Sequence, residues 1–111
     1  MSPNDPRAFV AVLGAIRAGA MWVPLDPRSP PVEHAALLAR FGCDALFYHP
    51  AHAASAAAVR AACPALRVAV CLDDPAGADP ALARWLAGQP TSPPRVDAQP
   101  TDLVAIPTTG G

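Results

Sequence analysis

Apolar positions along this chain fall into two spacings, and the two alternate. Phe9, Val12, Leu13 and Ile16 lie at i, i+3, i+4 and i+7, the stripe of an amphipathic helix. Asp5-Pro6 starts that helix, because an aspartate accepts from the orphan first-turn amides and a proline suits the first helical position. Gly19 supplies its stop. Gly14 lies inside it, where glycine costs roughly 1 kcal/mol relative to alanine, so close packing against a neighbouring backbone is the expected reason for it. Ala20 to Leu25 then reads as a short strand that ends, or sits at an edge, at Pro24.

The alternation continues. Ser29-Pro30 opens a second helix with His34, Leu37, Leu38 and Phe41 on one stripe and Gly42 as terminator. Ala45 to Tyr48 is the next strand, and an alanine-rich helix runs from about Ala51 to Ala62, ahead of Pro64. Arg67 to Leu72 has the continuous β-branched character of a strand buried on both faces. A short helix from Asp79-Pro80 to Ala87 shows Leu82, Trp85 and Leu86 as its apolar face. Gln89 to Pro100, with four prolines, is an extended connection, and Asp102 to Ile106 is a last strand. Strands separated by helical crossovers predict parallel β-α-β units and therefore an α/β fold.

Composition narrows the picture. The 111 residues are 52% hydrophobic and 15% charged, enough to bury one core and not two. The net charge of −1 carries no electrostatic footprint for nucleic acid. All eight basic residues are arginines, so chemistry that needs a lysine must find it elsewhere. Cys43, Cys63 and Cys71 form no C-x-x-C pair, which argues against a disulfide framework and fits a reducing, cytoplasmic setting. His49 and His52 lack acidic or thiol neighbours in sequence and read as surface or cap residues, so no metal ligand is assigned. The apolar run from Phe9 to Ala20 is interrupted by Arg17 and is too short for a membrane span, which needs about 20 residues.

One segment has residue types that point to chemistry. Strand 102–106 runs through Pro107 into Thr108-Thr109-Gly110-Gly111. Glycines after a strand let backbone amides approach an anion, and threonine hydroxyls add donors to phosphate oxygens. Taken alone, four small residues at a chain end read more readily as a loose terminus. Trp22 is expected in the core, Asp73-Asp74 as a solvated turn, and Arg17 and Arg28 as exposed arginines. No catalytic residue is assigned.

Two separated stretches change the weight of that segment. Asp102-Leu103-Val104-Ala105-Ile106 followed by Thr109-Gly110-Gly111 resembles the start of the phosphate-loop motif of the AMP-forming acyl-CoA synthetase and adenylation-domain superfamily. Pro107 and Thr108 depart from its commoner apolar-aromatic pair. Upstream, Pro3-Asn4-Asp5-Pro6, then Leu13-Gly14-Ala15-Ile16-Arg17-Ala18-Gly19-Ala20, then Val23-Pro24-Leu25-Asp26-Pro27 resembles another segment of the same family, in the same order and at the family's spacing. Residues 73–99 are the least diagnostic part.

The resemblance implies part of the large N-terminal domain of the acyl-adenylating fold, with alternating helices and short parallel strands. It implies an enzyme that joins a carboxylic acid to ATP with Mg²⁺, forms an acyl-adenylate and passes the acyl group to coenzyme A. Thr109, Gly110 and Gly111, and more weakly Thr108, would begin its ATP phosphate loop. The acceptor stays open. Ile16 to Asp26 also resembles peptide-synthetase adenylation domains, which load a carrier protein, whereas Gly110 in place of serine tilts towards the coenzyme A ligases. Residues 1–111 are expected to be a partial domain, cut at both ends and inactive alone. A small non-catalytic α/β nucleotide-binding or scaffolding module is the alternative.

Overall fold

The computed structural model describes residues 1–75 and 77–107. Helix α1 spans Pro6–Arg17, α2 Pro31–Arg40, strand β1 Ala45–Tyr48, α3 Ala53–Ala62, β2 Val68–Cys71 and α4 Leu82–Ala87; a 3₁₀ turn at Pro50–His52 leads into α3. β1 and β2 pair in parallel with Ala45 opposite Val68 and Tyr48 opposite Cys71, joined through α3. This is the β-α-β unit that the spacing predicts, and the chain is α/β.

The helix ends follow local chemistry. Asp5 caps α1, its carboxylate accepting from the Arg7 backbone N–H at 2.8 Å. At the other end Gly19 takes φ 76°, the Gly19 N–H donates to Ile16 O and the Ala20 N–H to Ala15 O. Gly42 repeats the arrangement after α2 with φ 62° and bonds from Gly42 N–H to Ala39 O and Cys43 N–H to Leu38 O. Both are Schellman stops that need a left-handed residue, which glycine adopts without a Cβ clash.

Alternation along β1 and β2 sends side chains into two layers. Leu46, Tyr48 and Ala69 join Leu38, Ala56, Val59 and Cys63 in a core beneath α2 and α3. Val70 and Leu72 pack on the opposite side with Leu82 of α4, against Ala8, Ala11, Phe47 and Val68. Phe47 and Trp85 meet edge-to-face there, with ring centroids 5.8 Å apart.

Four sequence expectations are corrected. Segments 20–25 and 102–106 are not full strands: their contact is a single parallel bridge between Trp22 and Ala105. α4 begins at Leu82 rather than at Asp79-Pro80, because the Cys71 N–H donates to Pro80 O at 3.0 Å and Ala81 bridges to Cys71, which holds those residues extended. α1 turns Ala8 and Ala11 to the sheet and leaves Phe9 65% and Leu13 51% exposed. Gly14 packs against nothing, since a Cβ there would have no neighbour within 4 Å.

Candidate functional site

Thr108, Thr109, Gly110 and Gly111 lie outside the described residues, and the structure reaches the phosphate-loop candidate only through the extended segment that leads to it. That lead-in is anchored at both ends. Asp102 closes a turn, its backbone N–H donating to Gln99 O at 3.0 Å while its carboxylate accepts from the Gln99 N–H at 2.8 Å. Beyond the turn, the Trp22 N–H donates to Val104 O at 2.9 Å and the Ile106 N–H donates to Trp22 O at 2.9 Å. These two bonds make Ala105 the parallel neighbour of Trp22. The two stretches that carry the family resemblance are therefore adjacent in space, although Trp22 and Ala105 are 83 positions apart in the chain. Trp22 itself is 39% exposed rather than a core residue.

The turn after segment 20–25 is closed by hydrogen bonds, the Ser29 N–H donating to Asp26 O at 3.0 Å. Asp26 accepts from the Arg28 backbone N–H at 3.0 Å and from Arg28 Nε and Nη2. The Arg28 guanidinium, and then its backbone N–H, hold the Asp26 carboxyl down at about 2. Arg28 is exposed, as its sequence context indicates. His34 is buried beneath this turn, with Nε2 2.8 Å from Asp26 O and Nδ1 without a partner among the described residues. The Nε2–H tautomer makes that contact a donated hydrogen bond.

A second polar group lies where α1 begins, beyond the carboxyl ends of β1 and β2. Arg7 joins Asp5 and Asp73, at 2.8 and 2.7 Å, and His49 Nε2 is 3.8 Å from Asp5. The Arg7 guanidinium pulls the Asp5 carboxyl down to about 2 and lowers Asp73 as well. The sequence marks Asp73 as part of a solvated turn, and the structure adds the pairing with Arg7. The signal available to find its pairing was its place directly after a buried parallel strand, the end of an α/β sheet where polar groups collect. His49 is a cap: its Nδ1 accepts from the Ala51 N–H at 3.2 Å.

Chemically these are anchors. Asp5, Asp26 and Asp73 each face an arginine, which keeps them ionised and weak as bases at neutral pH, and Asp79 pairs with Arg60. Burial, followed by the bond to Asp79, pushes the Tyr48 hydroxyl up to about 12. Burial also raises the Cys43 thiol, so it is not an activated nucleophile. Among the described residues no three His, Cys, Asp or Glu side chains gather as a metal site, and no helix is long and apolar enough to cross a membrane.

Comparison with known proteins gives one consistent family. Its description, AMP-binding enzyme, matches residues 1–111. Nonribosomal peptide synthetase fso1 of Omphalotus olearius is 31% identical over 96% of this chain. Naringenin synthase of Pestalotiopsis fici is 48% identical over 49% of the chain, and pyochelin synthetase PchF of Pseudomonas aeruginosa 46% identical over 35%. The chain covers 2% of the length of each of these relatives. No solved structure matches it significantly. With the family matched along its whole length and an α/β fold to fit it, this chain belongs to the AMP-binding enzyme family.

Proposed function

We propose that residues 1–111 are one part of a larger adenylate-forming domain. That domain activates a carboxylic acid with ATP and Mg²⁺, releases pyrophosphate, and hands the acyl group to a thiol. The observation that carries this reading is the Trp22–Ala105 pairing, which joins the two family-like stretches on adjacent parallel segments. Thr108, Thr109, Gly110 and Gly111 follow that pairing directly in sequence and would be the first part of the phosphate cradle. Backbone amides and hydroxyls there offset the negative charge that builds as a carboxylate approaches a polyphosphate. The described residues hold and orient this lead-in; the acid pocket and the catalytic lysine belong to other parts of the domain.

For the acceptor, a carrier-protein thiol is the better supported of the two. Two of the relatives carry the printed names peptide synthetase and pyochelin synthetase, and Ile16 to Asp26 has the peptide-synthetase pattern. Coenzyme A is the second reading and rests on Gly110 in the loop. The test is acid-dependent exchange of pyrophosphate into ATP by the full polypeptide that carries this segment, followed by acyl transfer offered to carrier protein and to coenzyme A in parallel. Exchange with at least one acid, lowered tenfold or more by Thr109→Ala, is the expected result. Absence of exchange across amino, aryl and fatty acids, together with ATP raising the melting temperature of the isolated chain, would favour the non-catalytic nucleotide-binding module instead.

A further inference from the structure

Between α4 and the turn at Asp102 the chain crosses the surface without joining any element. The Gln89 N–H donates to Leu86 O at 3.0 Å, and the next backbone bond joins Asp102 to Gln99. From residue 90 to residue 98 no backbone group has a hydrogen-bond partner among the described residues, and every one of these residues is exposed. Thr91 and Ser92 bend the chain, whereas residues 93–99 run on without helix, strand, turn or bend. The segment is nevertheless held at two points. Val96 is seated against Gly19 at the end of α1, so closely that a Cβ on Gly19 would lie 2.8 Å from Val96 Cγ1. With Gln89 fixed at one end and Val96 at the other, the residues between them are presented to solvent.

The presented stretch reads Pro90-Thr91-Ser92-Pro93-Pro94-Arg95. Its prolines have no N–H to donate, so it makes a poor edge for another strand to pair with. Nor does it coil into a helix, because Pro93 and Pro94 hold the residues before them extended. Prolines favour the polyproline II form instead, whose three residues per turn put Pro90 and Pro93 on one face. Proline rings displayed in that way fit grooves lined with aromatic side chains. Arg95 follows two residues after Pro93. It forms no ion pair with a described residue, and the nearby Asp97 carboxylate accepts from Gln99 Nε2 at 3.0 Å. A cation beside an apolar ridge is complemented by a carboxylate at the border of the groove that takes the ridge.

We propose that residues 90–95 are a docking segment for a protein module whose groove is lined with aromatic side chains and bordered by acidic ones. The proline rings fill the groove, and the Arg95 guanidinium pairs with the border and fixes the direction in which the segment lies. A nucleic acid is a poor fit, because Arg95 is the one cation between residues 85 and 111 and a polyanion needs several. Anchoring at Gln89 and Val96 lowers the ordering entropy that a loose proline-rich tail would lose on binding. The bend at Thr91 and Ser92 acts the other way, since it must straighten to bring Pro90 into line with Pro93. The segment lies ahead of the Asp102 turn, so docking here is separate from the adenylate chemistry.

The probe is an SH3 domain with an acidic border to its groove, titrated into the ¹⁵N-labelled 111-residue chain. Saturable shifts are expected at Thr91, Ser92, Arg95 and Val96. Pro93→Ala and Arg95→Ala should each weaken binding fivefold or more and leave the melting temperature unchanged, and added salt should weaken the parent chain more than Arg95→Ala. Ser92→Pro, which holds Thr91 extended, should tighten binding about threefold by removing the bend in advance. Absence of saturation up to millimolar probe, or equal binding by Pro93→Ala and Arg95→Ala, would overturn the proposal. Shifts centred on Phe9 and Leu13 would overturn it in favour of the exposed face of α1. The full polypeptide that carries this segment should bind the probe as tightly as the 111-residue chain, and loss of binding there would overturn the proposal by showing the segment covered.

Discussion

The two halves of this molecule differ in how far they complete themselves. Around β1, β2, α2 and α3, apolar residues find partners within the chain: Val59, Val70 and Cys71 are fully buried and Leu38 is 2% exposed. Around α1, segment 20–25 and residues 102–107 few do, Leu25 in the core and Ala8 and Ala11 against the sheet being the exceptions. Phe9, Val10, Leu13, Leu103 and Val104 are all exposed, and the strand pairing there is a single bridge. A β-α-β unit with a helix layer is thus enough to close a core, whereas an amphipathic helix with a larger apolar surface is ordered by its caps and one small-residue face. The second half carries the family's loop lead-in, so the part nearest the proposed chemistry is the part least finished by these residues alone.

The largest effect that separates the halves is expected from core truncation. Leu38→Ala removes a fully enclosed side chain and should cost about 3 kcal/mol, read as a lower urea midpoint. Leu13→Ala, on an exposed helix face, should cost less than about 1 kcal/mol. Equal costs would mean that α1 is as well packed as α2.

Met1 sits between the halves, and its amine gives the next effect. Burial lowers that amine from 8.0 to about 6. Between those values the unfolded chain holds a proton that the folded chain has released, so stability rises as pH increases from 6 to 8. The full rise is about 3 kcal/mol and should be missing from an N-terminally acetylated chain. Thermal melts of the two forms across that interval check it, and parallel pH profiles would contradict it.

Gly14→Ala is expected to act in the opposite sense and more weakly. Nothing lies within 4 Å of the added Cβ, so the substitution should stabilise the chain by about 0.5–1 kcal/mol through helix propensity. A loss of stability would show that α1 is closely packed at Gly14 after all.

These contrasts also account for what could be read from sequence. The cap at Asp5, the stops at Gly19 and Gly42 and the bounds of β1 are local chemistry, and each stands where the residues place it. The face that α1 buries was not legible. Its periodicity marks Phe9 and Leu13, while the sheet accepts only the small Ala8 and Ala11, a choice made by tertiary fit. Likewise nothing in Asp79-Pro80 announces that Cys71 will hold residues 80 and 81 extended. The candidate loop was legible only through its resemblance, because four small residues have no periodicity and no charge of their own. The Arg7 bridge between Asp5 and Asp73 joins positions far apart in the chain, and no spacing rule connects them.

Residue-resolved amide exchange of the isolated 111-residue chain tests the contrast most directly. The hydrogen-bonded amides of β1 and β2 and those of the middle of α3 should exchange only through opening of the whole unit, and those of Met21, Val23 and α1 at least 100-fold faster through local opening. Uniform protection across both halves would contradict the account, because it would mean that α1 and segment 20–25 are completed by this chain itself.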